Sequence, residues 1–280
     1  MRFTKMHGTG NDFVVIDARA VDADWVRLAV TMNDRHFGVG GDGILLALPS
    51  SNADLRMRMF NPDGSEAEMC GNGIRCLTKY VVERHVVAPR DGAITVETLA
   101  GVLNCEIRGE GGAVDAVRVG MGKPHFDPRN IPVLAEQAPP ILGFPVEVGG
   151  KTMAVTCLSM GNPHAIHFTD EAIATFPLHA LGPLVEHDAA FPRRVNFEVV
   201  NAVEYGTVRA RVWERGAGET LACGTGACAI GVAARLNGYT GDTTDVLLPG
   251  GTLRVEWDGS GEVYLTGPAV EVFEGEWLLT

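Results

Sequence analysis

Two cysteines sit in nearly matching turns: Cys70 in EMCGNGIRCL and Cys223 in LACGTGACAI, each followed by Gly-x-Gly and then by a second cysteine. A strand, this turn and a helix in succession would set each sulfur at a helix N-terminus. The unpartnered N–H groups and the macrodipole there favour an anion, which predicts a thiol pKa below its ordinary value of about 8.5. The same N–H groups form a nest for a carboxylate or phosphate. One such cysteine would explain a nucleophile. Two quasi-equivalent ones suit inversion of a stereocentre, in which a base takes a proton from one face and an acid returns one to the other. The expected setting is a cleft between two domains, with the thiols facing each other.

Around these turns lie side chains that could hold a small zwitterion. Asn11, Asn61, Asn162 and Asn196 fall in loop-like contexts and offer neutral donors and acceptors. His164, in GNPH, and Glu214, in WERG, are candidates to orient or polarise the thiols, and Arg215 could grip a carboxylate with two hydrogen bonds. Taken singly, each has an ordinary explanation: an Asx-turn, a hydrogen-bonded core histidine, a solvated Glu-Arg pair. Cys76 and Cys228, inside the following helices, read as small buried packing residues.

The elements that must position these groups come in two copies. Aligned on the cysteines, FNPDGSEAEMCGNG and WERGAGETLACGTG share an aromatic ten residues upstream (Phe60, Trp213) and a glutamate four upstream (Glu66, Glu219). Gly10-Asn11 and Gly161-Asn162 keep nearly the same offset, 59 and 61 residues before the cysteine. The chain therefore reads as a duplicated unit, each half supplying an Asn-bearing turn and a Cys-bearing turn.

Strand-like segments dominate: 13–16, 44–48, the alternating LRMRMF at 55–60, AITVET, VLNCEI, AVRVGM, VEVGGKTMAVTCL, AIHF, VNFEVVNAV, TVRARVW, TLRVEW and EVYLTG. Short turns between most of them predict mainly antiparallel pairing. Helical periodicity is confined to Trp25–Asn33 after the N-cap Asp24, and to the segments after Cys70 and Cys223, the last ending at Gly238. The expected fold class is α+β (mixed α/β): two pseudosymmetric domains, each a mainly antiparallel curved sheet around a central helix. The expected bounds are 1–118 and 119–267, the first completed by 268–280 if the final strand VEVFEGEWLL returns to it. The proline-rich stretch from Pro124 to Pro145 reads as a linker.

Composition excludes several functions. A 280-residue chain that is 46% hydrophobic can fill a core, and a formal charge of −12 opposes non-specific binding to nucleic acid or an anionic membrane. Without an apolar h-region near the N-terminus or a run of 18 apolar residues, the expectation is a soluble cytoplasmic protein with its six cysteines reduced. GVGGDG fits the dinucleotide fingerprint literally, but a strand follows it where a helix is needed, and GTGND lacks the ending of a phosphate-binding P-loop. The cysteine spacings match no closed zinc site. A cysteine peptidase has no use for a second thiol motif. A non-catalytic binding protein would also use an anion nest; depressed pKa values at both thiols would separate an enzyme from it.

MHGTGNDFVVID, FNPDGSEAEMCGNGIRC, MGNPH and WERGAGETLACGTGACA, in this order, resemble the diaminopimelate epimerase family. That resemblance implies interconversion of LL- and meso-2,6-diaminopimelate without pyridoxal phosphate, metal or redox cofactor, in a cleft between two domains. It also implies a homodimer serving lysine biosynthesis and, in many bacteria, peptidoglycan. Carried over, Cys70 is the base toward the LL form and Cys223 the acid, with His164 and Glu214 their partners. Asn11, Asn61, Asn162, Asn196 and Arg215 hold substrate, and backbone groups of Gly71, Asn72, Gly224 and Thr225 cradle the reacting carboxylate. Gly43 departs from the glutamine that many members carry, which removes one side-chain contact. Racemases of proline, hydroxyproline or histidine are the nearest alternatives in activity, but WERGAGE favours diaminopimelate.

Overall fold

The computed structural model describes residues 1–278. It divides into two compact units, Met1–Gly120 with the segment from Thr266 onward, and Met121–Leu265. Each is built on the same plan.

In the first unit, β1 (Arg2–Gly8) and β2 (Asn11–Asp17) form an antiparallel hairpin. Helix α1 (Trp25–Asn33) follows, its first turn capped by Asp24, whose carboxylate accepts from the Arg27 amide. Then β3 (Gly43–Leu48) lies parallel to β2, and β4 (Leu55–Phe60) turns back along β3, with the short β5 (Glu66–Ala67) beside it. Helix α2 (Gly71–Glu83) leads to β6 (Ala93–Thr98), parallel to β4, and to β7 (Gly101–Arg108) and β8 (Ala116–Gly120).

The second unit begins with β9 (Ile141–Val148) and then repeats that order. A hairpin of β10 (Lys151–Ser159) and β11 (Pro163–Phe168) precedes a 3-10 turn and helix α3 (Leu178–Glu186). Strand β12 (Asn196–Glu204) is parallel to β11, β13 (Thr207–Glu214) antiparallel to β12, and β14 (Gly218–Thr220) antiparallel to β13. Helix α4 (Gly224–Leu236) then leads to β15 (Thr243–Leu248), parallel to β13, and β16 (Gly251–Glu256). After β17 (Tyr264–Pro268), β18 (Val270–Glu276) pairs with β1. Residues 279 and 280 of the expected returning segment lie outside the described residues.

The duplication extends to register. Phe60 stands opposite Glu66, and Trp213 opposite Glu219. In both units an arginine two residues before the aromatic closes a two-pronged pair on that glutamate: Arg58 on Glu66 at 2.6 and 2.9 Å, Arg211 on Glu219 at 2.6 and 2.9 Å. These pairs clamp the strand that feeds each Cys turn.

Helices α2 and α4 are buried nearly all round, α4 through its small apolar residues and α2 with the polar Asn72, Arg75 and Thr78 inside as well. A Cβ on Gly231 would come within 2.6 Å of Val255, so glycine lets α4 lie directly against its sheet. Helix α3 was not legible in the sequence because Gly182 and Pro183 interrupt its pattern. The structure explains the glycine: a Cβ there would stand 2.5 Å from the Trp213 indole. The stretch 124–145 is not a linker. Ile131, Val133 and Ile141 are buried in the core of the second unit with Val155, Phe191 and Phe197, because their apolar side chains outweigh the prolines around them. Strands β1 and β15 were also absent from the sequence reading, and VEVGGKTMAVTCL proves to be a hairpin turning at Gly149 and Gly150, both at positive φ. Among the described residues no helix is long and apolar enough to cross a membrane.

Candidate active site

Cys70 occupies the N-cap of α2 in an extended conformation (φ −139°, ψ 119°), and its sulfur accepts from the Gly73 amide at 3.4 Å. The sulfur takes the place that a serine or aspartate oxygen usually fills. Its thiol donates toward Asn11 Oδ1 at 3.7 Å, and the same oxygen accepts from Asn72 Nδ2 at 3.2 Å. Asn11 in turn donates from Nδ2 to Asp42 at 2.7 Å.

Asp42 belongs to a charged cluster at the base of the β1–β2 hairpin. Arg35 donates to both Asp42 and Asp12 at 2.7 Å, and Lys5 donates to Asp12. Burial alone would raise the Asp12 carboxyl, but hydrogen bonds from Arg35 and Lys5 together outweigh it and bring it down to about 2. Beneath this turn the fully buried Arg75 donates to Gly71 O at 2.9 Å, Asn72 Oδ1 at 3.0 Å and Pro268 O at 3.3 Å. It ties down the first turn of α2.

Cys223 holds the equivalent N-cap of α4 (φ −116°, ψ 122°), its sulfur accepting from the Gly226 amide at 3.4 Å. Its surroundings differ. The Thr225 hydroxyl lies 3.4 Å from the sulfur and accepts from Asn162 Nδ2 at 3.2 Å. Asn162 Oδ1 is 3.0 Å from His164 Nε2, and His164 Nδ1 is 2.6 Å from Glu198 Oε1. Both His164 and Glu198 are completely buried.

The expectation of a lowered thiol pKa is overturned at Cys223. Burial pushes this thiol well above its ordinary range, and the nearby Glu214 charge adds to the rise. Hydrogen bonds from Thr225 and Gly226 oppose this but are outweighed. At 6% exposure the thiolate loses nearly all its water, which two long contacts and a helix terminus do not replace. Cys76, inside α2, is pushed up to about 12 by burial, in keeping with a packing role.

The remaining expected residues fall as follows. Glu214 accepts from the Thr220 hydroxyl at 2.6 Å and lies close enough to Cys223 to act on its charge. Asn196 spends its side chain on the backbone, donating to Pro163 O at 2.8 Å and accepting from the Arg215 amide at 2.9 Å. It therefore fixes where Arg215 starts, while the exposed Arg215 guanidinium donates to Arg193 O at 3.1 Å. Asn61 donates to the Ser65 hydroxyl at 3.0 Å, within a turn closed by its own backbone. Both ring nitrogens of His164 are taken by Glu198 and Asn162, so it reaches Cys223 through intermediaries.

At Gly43, a Cβ would come within 2.9 Å of the Phe60 carbonyl and 3.2 Å of the Met59 side chain. A glutamine here would require β4 to shift. Three residues escaped the sequence reading: Asp42, Arg75 and Glu198. The detectable signal for Glu198 was a lone charge in the apolar run VNFEVV, a pattern that in a buried strand demands a partner. Among the described residues no three His, Cys, Asp or Glu side chains gather as a metal-holding cluster.

Two copies of one helix-in-sheet unit define a fold that other solved proteins share. A probable proline racemase from Agrobacterium radiobacter K84 superimposes with a TM-score of 0.70 at 16% identity, covering 100% of this chain and 93% of that one. A phenazine biosynthesis protein of the PhzF family from Bacillus anthracis gives 0.69 at 20% identity, covering 100% and 99%. At such identities the likeness is one of fold. Sequence carries it further: the pattern described as diaminopimelate epimerase matches residues 3–126 and 156–272. The diaminopimelate epimerase of Pelotomaculum thermopropionicum is 51% identical over 99% of both chains, and that of Acetivibrio thermocellus 50% identical over 99% of this chain and 98% of its own. The chain belongs to the diaminopimelate epimerase family.

Proposed function

We propose that the protein interconverts LL- and meso-2,6-diaminopimelate by passing the α-proton between Cys70 and Cys223, with no cofactor. The observation that carries this reading is the pair of helix-capping thiols, alike in backbone and unlike in burial. Cys70, half-buried, serves as the base toward the LL form. Cys223, whose burial favours the protonated thiol, is the acid that reprotonates the opposite face. In the reverse direction the roles exchange. In each turnover one cysteine, as the thiolate, forms an S–H bond as the α-C–H breaks, while the other, as the thiol, gives its proton to the opposite face and is left as the thiolate.

The carbanionic transition state needs charge stabilisation that neither thiol supplies. The first amides of α2 and α4, at Gly71 and Asn72 and at Gly224 and Thr225, are suited to receive the reacting carboxylate. Asn11 and Asn162 stand beside the two thiols as donors and acceptors for the reacting end. Asn61, Asn196 and Arg215 complete the substrate site, Asn196 by holding the Arg215 backbone. Glu214 raises the proton affinity of Cys223, and His164 acts through Asn162. The protein works in the cytoplasm as a homodimer, a proposal supported by family membership and checked by sedimentation of the purified protein.

The test is incubation in heavy water, under reducing conditions, with LL-diaminopimelate beside proline, hydroxyproline, histidine, lysine and glutamate. Deuterium at the α-carbon and inversion are expected with diaminopimelate. Exchange with proline or hydroxyproline and none with diaminopimelate would replace this reading.

A further inference from the structure

We propose that Glu198 is a positioning residue held as the neutral acid: it donates to His164 Nδ1, fixes the ring with its proton on Nε2, and so aligns a chain of donors toward Cys223. The inference rests on the epimerase reading for its purpose but on hydrogen-bond bookkeeping for its content. Asn162 Nδ2 donates to Thr225, so Asn162 Oδ1 faces His164 as an acceptor and Nε2 must carry a proton. For a neutral ring, Nδ1 is then an acceptor, and its neighbour at 2.6 Å, Glu198 Oε1, must be the donor. The second carboxyl oxygen agrees. Glu198 Oε2 is buried and has no hydrogen-bond partner among the described residues. That is tolerable for the carbonyl oxygen of a neutral acid and costly for half of a carboxylate.

The groups around Glu198 favour the same state. It faces His164 on β11, Cys157 on β10, Glu214 on β13 and Cys223 at the N-cap of α4. Burial raises its carboxyl, His164 opposes that, and Glu214 adds to the rise. An ionised Glu198 would also add a negative charge beside the sulfur that must become a thiolate when it gives up its proton.

The consequence is directional. Glu198 donates to His164, His164 to Asn162, and Asn162 to Thr225. The Thr225 hydroxyl proton is thereby left free to point at the Cys223 sulfur 3.4 Å away. An ionised Glu198 with the ring proton on Nδ1 would reverse the chain: the Asn162 amide would turn over, Thr225 would donate to it, and the thiolate would lose that donor.

The substrate-free protein tests this without reference to activity. With nitrogen-15 in the histidines, the signal assigned to His164 by its loss in His164→Gln should show the Nε2–H tautomer throughout the neutral pH range. A ring protonated at Nδ1, or an imidazolium, overturns the proposal. Steady-state rates give the second arm. Glu198→Ala should lower kcat on the order of a hundredfold, the scale of a misdirected acid–base group, with KM little changed. Glu198→Gln, whose amide donates to Nδ1 as the neutral acid does, should restore most of kcat and leave the pH profile in place. If Glu198→Gln is as impaired as Glu198→Ala while its ultraviolet circular dichroism is native, or if it shifts the pH profile, the carboxylate was ionised and the proposal fails. Failure of the wild-type protein to turn over diaminopimelate would remove the purpose but leave the tautomer result standing.

Discussion

The two cysteine turns share a backbone and differ in everything that touches the sulfur. Both sulfurs cap a 13-residue helix and accept from the amide three residues on, at 3.4 Å. Beside Cys70, the asparagine that faces the thiol is held by Asp42, which Arg35 links to Asp12 and Lys5. Beside Cys223, the equivalent asparagine is held by a completely buried His164–Glu198 pair and acts on the sulfur through Thr225. The helix terminus is thus a shared scaffold, and at Cys223 burial outweighs what it offers a thiolate. A duplicated fold can in this way place two acid–base groups in different surroundings, one for each face of a reaction that removes a proton from one side and adds one to the other.

Deleting either sulfur gives the largest expected effect. Cys70→Ala and Cys223→Ala should each lower turnover about a thousandfold or more, within the range that a positioned acid or base contributes, while circular dichroism and melting temperature stay near those of the parent. Full turnover by either variant would sink the two-thiol scheme and make the comparison meaningless.

A smaller, more discriminating effect is expected in alkylation of the substrate-free protein. Iodoacetamide at neutral pH should modify Cys70 at least about tenfold faster than Cys223, since only thiolates react and burial suppresses both access and ionisation at Cys223. Peptide mass spectrometry reads the ratio directly. Equal rates would mean that the two environments do not set the thiols apart.

The smallest effect concerns the charged cluster behind Asn11. The Asp12 carboxyl lies at about 2 against an ordinary 3.8, so its ionised form stabilises the fold above pH 3.8, and that contribution is lost as pH falls through about 2. Asp12→Asn should therefore flatten the acid limb of stability in chemical denaturation, by about 1 kcal/mol or less for such a partly exposed cluster. The buried pair behind Asn162 should leave that limb unchanged, because Glu198 titrates above the ordinary carboxylate range. An acid limb unaffected by Asp12→Asn would show that the Arg35 and Lys5 contacts to Asp12 do not stabilise the fold.

Much of this molecule could be read from its sequence, for identifiable reasons. Glycine after cysteine, apolar periodicity after glycine and the repeated offsets to Asn11 and Asn162 are local signals, and they located both helix-capping thiols and the duplication. Helix α3 was hidden because its Gly182 and Pro183 read as breakers until the indole of Trp213, 31 residues away, supplies the reason for the glycine. The buried stretch around Ile131 and Val133 was mistaken for a linker because proline is a local signal and burial is not.

What the sequence determined by itself was the covalent inventory and its spacing: two thiols, each at the start of a helix, each with an asparagine about sixty residues upstream. The tertiary structure decided which charges and how much water each thiol meets. A pKa depends on atoms within a few ångströms in space, and Glu198, Glu214 and His164 come to the neighbourhood of Cys223 from three different strands. Local sequence therefore predicted a lowered pKa at each cap, and only the packed chain could show that burial reverses it at Cys223.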